Sequence, residues 1–165
     1  MIQIKNAAEL QKMRKACAIS AAALKAGGEA IEPGITTAEI DKIIYDFIVR
    51  HGARPNFLHL YGFPATACIS VNDTVIHGIP NKQQQIRPGD IVSIDTGCKI
   101  DGFNGDNACT YGCGKLDLEA QRLLDVTKES LHRGIEMACG GNRVGDIGHA
   151  VQSYVEENGF SVVRT

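Results

Sequence analysis

An Asp101-Gly102 pair separates two runs of alternating, partly β-branched sequence, 91–97 and 103–111, and this constrains the fold more than any other feature of the chain. Asp-Gly supplies the left-handed residues that a two-residue hairpin turn needs, so the two runs pair antiparallel in one register. Ile100 then faces Phe103 and Gly97 faces Asp106, which leaves Asp95 two residues along from Gly97 on the face that carries Asp106. Diagonal cross-strand neighbours lie about 7–8 Å apart at Cα, so the carboxylates of Asp95 and Asp106 are within reach of a shared metal ion or metal pair. Without a cation, two desolvated carboxylates at that distance repel, and one of them holds its proton. The pair is the first pointer to an enzyme.

Helical signals flank this sheet. Asn6 and Glu9 form a capping box that opens an Ala-rich helix running to about Ala30, where Pro33-Gly34 ends it. Thr36 and Glu39 repeat the signal. Ile40, Ile43, Ile44, Phe47 and Ile48 then recur at i, i+3, i+4, i+7 and i+8 until Gly52, the pattern of an amphipathic helix. Between Phe57 and Tyr111 the chain switches to short strands, expected at Ala67–Val71, 75–77, 91–97 and 103–111. Helical periodicity returns over 118–138 and again through Ile147, Val151, Tyr154 and Val155, closed by Gly159.

At 165 residues the chain buries one sizeable core, and its length requires no second independent domain. Seventeen basic against nineteen acidic side chains give a net charge of -2, which leaves no electrostatic footprint for nucleic acid or an anionic membrane. The first fifteen residues carry Lys5, Glu9, Lys12, Arg14 and Lys15 and lack the apolar centre of a signal peptide; no later run is apolar enough to span a bilayer. A cytoplasmic location is expected. The six cysteines form no CxxC pair and, in a reducing compartment, read as small apolar residues.

The chain also echoes itself. A shift of 107 positions, the interval from Gly52 to Gly159, lays Gly34 on Gly141, Ile40 on Ile147, Ile44 on Val151, Phe47 on Tyr154 and Ile48 on Val155. The two stretches share an apolar helix face and a stop, as a duplication would leave them. The first half-repeat is expected over about 1–115 and the start of a second over about 116–165, together one incomplete catalytic domain.

These features, read with the segment from Gly62-Phe63-Pro64 through Cys68 to Asn72, then His77-Gly78-Ile79-Pro80 and Arg87-Pro88-Gly89-Asp90, resemble the bacterial type of methionine aminopeptidase among the pita-bread metallopeptidases. The resemblance covers essentially the whole chain. It implies an α+β fold: a curved antiparallel sheet with helices packed on one face, built from two related halves, of which the C-terminal one is missing here. It also implies hydrolytic removal of the initiator methionine from nascent polypeptides whose second residue is small. Two divalent metal ions, manganese, iron(II), cobalt or zinc, would be held by two aspartates, one histidine and two glutamates. Asp95 and Asp106 match the aspartates. His77 matches the histidine outside the metal shell that orients the substrate and stabilises charge on the tetrahedral intermediate. Phe63 and Cys68, with Tyr61 close by, match the apolar pocket for the methionine side chain; the aromatic that the family often has at the position of Leu60 is absent. His51, His59, His132 and His149 match no motif.

The family continues beyond Val162-Val163-Arg164 into a Cys-Gly-His-Gly-Ile-Gly segment and later strands that supply the histidine and both glutamates. The expectation is therefore a truncated form with two of five ligands, weak metal binding and little activity alone. The full-length enzyme would be monomeric, whereas the truncated chain, with unpaired strand edges, would self-associate. A non-catalytic, half-length peptide-binding protein is the alternative, and a homodimer that juxtaposes four aspartates is a third arrangement.

Overall fold

The computed structural model describes residues 3–163. Arg164 and Thr165, assigned above to the second half-repeat, lie outside the described residues, as do Met1 and Ile2. The chain divides after Leu116 into two compact units.

In the first unit, helix α1 (Ala7–Glu29) begins at the expected capping box: Asn6 Oδ1 accepts from the Glu9 N–H at 2.9 Å, and Glu9 Oε2 accepts from the Asn6 N–H at 2.8 Å. Helix α2 (Thr37–Arg50) begins the same way, with Glu39 accepting from the Thr36 N–H at 2.8 Å. Four antiparallel strands follow, β1 (Arg54–Pro55), β2 (Ala67–Val71), β3 (Ile91–Ile100) and β4 (Phe103–Gly112). The central strand β3 pairs with β1 and β2 on one side and with β4 on the other. Among the described residues β4 pairs with β3 alone, so its outer edge is unpaired.

Asp101 and Gly102 both have positive φ, 54° and 86°, as the primed hairpin turn requires. Ile100 pairs with Phe103 and Gly97 with Asp106, the register expected from the turn. That register sorts the sheet into two faces. Val92, Ile94, Thr96 and Cys98 join Ala67, Ile69 and Val71 on the helix side, where Ile40, Ile44 and Ile48 of α2 are fully buried against the same core. Each of those isoleucines contributes roughly 1.5–3 kcal/mol by leaving water. Ser93, Asp95 and Gly97 occupy the opposite face with Cys68 and Asp106.

Residues 75–77 do not form the expected strand. Asn72 and His77 both adopt left-handed backbone, φ 51° and 58°, and end any extended run between them. A single backbone bond, from the Ile69 N–H to the Gly78 carbonyl, replaces a ladder, and Val75 and Ile76 are exposed. The two-residue strand β1 gave no periodic signal because it is too short to show one.

The second unit is a pair of helices, α3 (Leu118–Glu136) and α4 (Val144–Glu157). Asp117 caps α3 by accepting from the Ala120 N–H at 2.7 Å, and Asp146 accepts from the Arg143 N–H at 2.7 Å at the start of α4. Val126, Ser130, Gly134 and Val155 are buried between them. No helix among the described residues is long and apolar enough to cross a membrane.

Candidate functional site

The polar face of the sheet opens into a cleft of about 590 Å³ lined by Phe63, Cys68, His77, Asp95 and Asp106, with Tyr61 at its rim. All six residues singled out in the sequence therefore border one space. Phe57, Leu60, Gly62, Pro64 and Ile79 complete the lining. The Gly62-Phe63-Pro64 punctuation marked this loop, whereas nothing in the periodicity distinguished Phe57 or Ile79 from ordinary core residues.

Strand register places the two carboxylates. Asp106 stands opposite Gly97, and Asp95 stands opposite Cys68 on its other side. A side chain at Gly97 would come within 3.0 Å of the Gly105 carbonyl and 3.1 Å of Asn56 Nδ2, so the position beside Asp106 is packed tightly enough to favour glycine. Burial pushes the Asp95 carboxyl above its ordinary pKa, and the Asp106 charge and a hydrogen bond with that carboxylate push it further; His77 acts in the opposite direction. The Asp106 charge therefore adds to burial in disfavouring ionisation of Asp95.

Two hydrogen bonds fix the Gly78 backbone next to His77. The Gly78 N–H donates to Ser70 Oγ at 3.0 Å, and its carbonyl accepts from the Ile69 N–H at 2.9 Å. Gly78 is buried against the β2 backbone, where a Cβ would lie 2.7 Å from the Ile69 carbonyl carbon. This close approach over-determines the left-handed His77, a conformation that costs roughly 1–2 kcal/mol for a residue with a Cβ. The loop before β2 is similarly unusual, since His59 and Tyr61 also have positive φ, and Tyr61 is fully exposed.

Cys68 is buried, and its thiol is pushed up to about 11, first by burial and then by the charges of Asp95, Asp106 and Asp41. At neutral pH it is a protonated, apolar wall rather than a nucleophile. Asp41, which no motif identified, determines where that wall begins. From α2 its Oδ1 accepts from the N–H groups of Thr66 and Ala67 at 2.9 and 2.8 Å, at the entry to β2.

Burial raises the Asp41 pKa despite these bonds. Asp41→Ala leaves two buried donors without a partner and is expected to cost about 2–4 kcal/mol in urea unfolding. Asp41→Asn keeps the accepting oxygen and is expected to cost less than about 1 kcal/mol. The wild-type carboxyl binds its proton more tightly folded than unfolded. Its contribution to stability is therefore largest below the unfolded value near pH 4 and declines as pH rises through the shifted value; the Asn variant lacks that decline.

The carboxylates supply hard oxygen donors of the kind divalent metals take, but among the described residues no group of three or more His, Cys, Asp and Glu side chains is placed to hold a metal ion. The residues present fit part of a metal's coordination shell, not a complete one.

Comparison with known proteins agrees with this geometry. The chain is 51% identical to a methionine aminopeptidase of Clostridium perfringens over 164 residues, 99% of this chain and 66% of that protein. It is 44% identical to methionine aminopeptidase 1 of Bacillus subtilis with the same coverage. The crystal structure of methionine aminopeptidase from Rickettsia prowazekii superposes with a TM-score of 0.96 at 38% identity, across 99% of this chain and 66% of that one. The chain thus spans slightly under two thirds of the length of these relatives. The model of metallopeptidase family M24 matches residues 11–165, and with its antiparallel sheet, covering helices and polar carboxylate face the chain belongs to that family and has the pita-bread fold of its members.

Proposed function

We propose that this chain carries the substrate cleft and two of the metal-ligating carboxylates of a metal-dependent methionine aminopeptidase, acting on polypeptides that begin with methionine and a small second residue. The observation that carries the reading is the convergence of Asp95 and Asp106 beside Cys68 and His77 at one apolar-walled cleft, in a chain half identical to a methionine aminopeptidase.

Phe63 and Cys68 offer a neutral, polarisable wall that suits a thioether by shape and dispersion, and Tyr61 and Leu60 stand at its rim. His77, whose neighbour Gly78 is bonded to β2, orients the peptide and stabilises negative charge on the carbonyl oxygen under attack. Asp95 and Asp106 would hold one or two divalent ions. Manganese, iron(II), cobalt and zinc all suit carboxylate and imidazole donors, and such an ion supplies a water of lowered pKa and polarises the scissile carbonyl. With these two ligands alone the chain should bind the ions weakly.

The six cysteines are unpaired, which agrees with a reducing, cytoplasmic setting. We place the half-repeat boundary near 116, where the structural units divide. The unpaired outer edge of β4 favours self-association of the isolated chain; gel filtration at micromolar concentration should show species larger than a monomer.

The test is methionine release from Met-Ala-Ser with manganese or cobalt, by this chain alone and by this chain joined to the unmatched third of the Clostridium perfringens relative. The expected result is no turnover alone and turnover when joined. Turnover by the chain alone would keep the function but overturn the ligand count. A folded, joined protein that binds the peptide without releasing methionine would instead support a non-catalytic peptide binder.

A further inference from the structure

We infer that Cys17 and Cys98 form a site of reversible oxidation, at which a low-molecular-weight disulfide such as glutathione disulfide converts the two thiols into one bond between α1 and β3. The inference rests on how α1 packs on the hairpin and is independent of peptide hydrolysis.

The backbone brings the two residues together. Cys98 is buried on the helix side of β3, and its Sγ donates to the Ala16 carbonyl at 3.5 Å. Cys17 is the next residue along α1. Its Cα lies within roughly 3 Å of that carbonyl oxygen by peptide geometry, so the Cys98 sulfur is at most about 6.5 Å from it. The same approach is seen from β4. Gly105 is the ladder partner of Cys98, and a Cβ on Gly105 would lie 2.7 Å from the Cys17 nitrogen. Disulfides span Cα separations of about 4.4–6.8 Å, so contacts on this scale place the pair near bonding range.

Helix periodicity turns Cys17 toward the hairpin. Leu24 and Gly28 stand two and three turns further along α1 and share its face. Both meet β4: the Leu24 carbonyl accepts from Tyr111 Oη at 3.4 Å, and a Cβ on Gly28 would fall on the Tyr111 ring. Cys17 therefore overhangs β4 as well, at the level of Gly105, where the strand has no side chain to separate it from Cys98. Burial first and the Cys17 charge second push the Cys98 thiol above its ordinary value, so the two sulfurs are within electrostatic reach of each other. The other four cysteines are placed elsewhere. Cys68 is on the opposite face of the sheet beside Asp95, and Cys139 belongs to the second unit. Cys109 lies four residues along β4 from Gly105, roughly 13 Å at the rise of a strand, and Cys113 is farther still.

Cys17 is exposed and Cys98 is buried, which sets the order of events. The Cys17 thiolate attacks one sulfur of glutathione disulfide; a bond from Cys17 to glutathione forms as the disulfide of the reagent breaks, and one glutathione leaves as its thiolate. Cys98 then loses its proton, and its sulfur attacks Cys17 Sγ and expels the second glutathione. Two protein thiols are oxidised, one glutathione disulfide is reduced to two thiols, and the two protons released end on them. The product ties the middle of α1 to the strand that carries Asp95, on the face away from the carboxylates.

The reduced chain, incubated with excess glutathione disulfide, quenched with iodoacetamide and digested with trypsin, should yield peptides 16–25 and 83–99 joined by a bond that dithiothreitol cleaves. The oxidised chain should run as a single chain on a denaturing gel without reductant. It should also melt roughly 5–10 °C above the reduced chain, because the bond closes a loop of about eighty residues in the unfolded state. Cys17→Ser, at an exposed position, should fold as the parent does and show neither the link nor the rise. Cys17 left unmodified or held at the glutathione adduct with Cys98 still free would overturn the inference. So would a link from Cys17 to another cysteine or to a second chain, or a link that lowers the melting temperature.

Discussion

Asp106→Ala is expected to lower methionine release by the joined protein roughly a thousandfold or more, about 4 kcal/mol of transition-state stabilisation, while leaving the fold intact. Asp106 is exposed on β4, whose outer edge is unpaired among the described residues, and its neighbours across the ladder are Gly97 and, diagonally, Asp95. Its removal leaves no buried donor unsatisfied and opens no cavity, so the melting temperature should stay within about 2 °C of the parent. The loss is chemical. One carboxylate cannot hold in place the ions that two would share, and a carboxylate ligand has no substitute in a methyl group. Steady-state release from Met-Ala-Ser, with manganese binding measured in parallel, tests both halves. A variant that retains a tenth of the activity would remove Asp106 from the ligand set.

The largest structural effect is expected at its neighbour. Gly105 pairs with Cys98 on the helix side of β4, directly under α1. A Cβ there would collide with the Ala16 carbonyl and lie 2.7 Å from the Cys17 nitrogen, both backbone atoms in the middle of a 23-residue helix. A side chain can rotate out of such a clash, but helix backbone cannot. α1 would have to lift off the hairpin, disturbing the Ser20 bond to Thr96 and the Cys98 contact with Ala16. Gly105→Ala should therefore cost about 3 kcal/mol or more, at the upper end of overpacking effects, and lower the melting temperature by roughly 6–12 °C. Gly102→Ala, in the hairpin turn with no atom within 4 Å of an added Cβ, should cost only the strain of a positive φ, roughly 1–2 kcal/mol. If the two variants unfold at the same denaturant concentration, close packing of α1 on Gly105 does not constrain this fold.

The elements that were legible in the sequence share one property: their signals are local. Capping pairs Asn6 with Glu9 and Thr36 with Glu39, the apolar ridge from Ile40 to Ile48, and Asp101-Gly102 each specify structure within a few residues, and all four appear in the fold. The hairpin reading extended further because period-2 register propagates without error along a ladder, from the turn at Asp101 back to Asp95 and on to Asp106. The expected strand at 75–77 failed for the opposite reason. Val75 and Ile76 have strand propensity, yet the backbone at Asn72 and His77 is fixed by what surrounds it: Asn72 Nδ2 donates to Asp90 at 2.8 Å, and Gly78 is pinned to β2.

Asp41 shows the same limit from the functional side. Between Ile40 and Lys42 it reads as the polar face of an amphipathic helix, and only the packing of α2 beside β2 turns it toward the Thr66 and Ala67 amides. The sequence by itself determined the helices, the hairpin register and the shared face of Asp95 and Asp106, because propensity, capping and turn chemistry act between near neighbours. Tertiary structure alone decided that Phe63, Cys68 and His77, from a loop, a strand and a strained turn, close on those carboxylates, and that Gly105 lets α1 press against the strand beneath them. Such long-range encounters depend on volumes and backbone approaches between segments some ten to ninety residues apart, for which no local pattern exists.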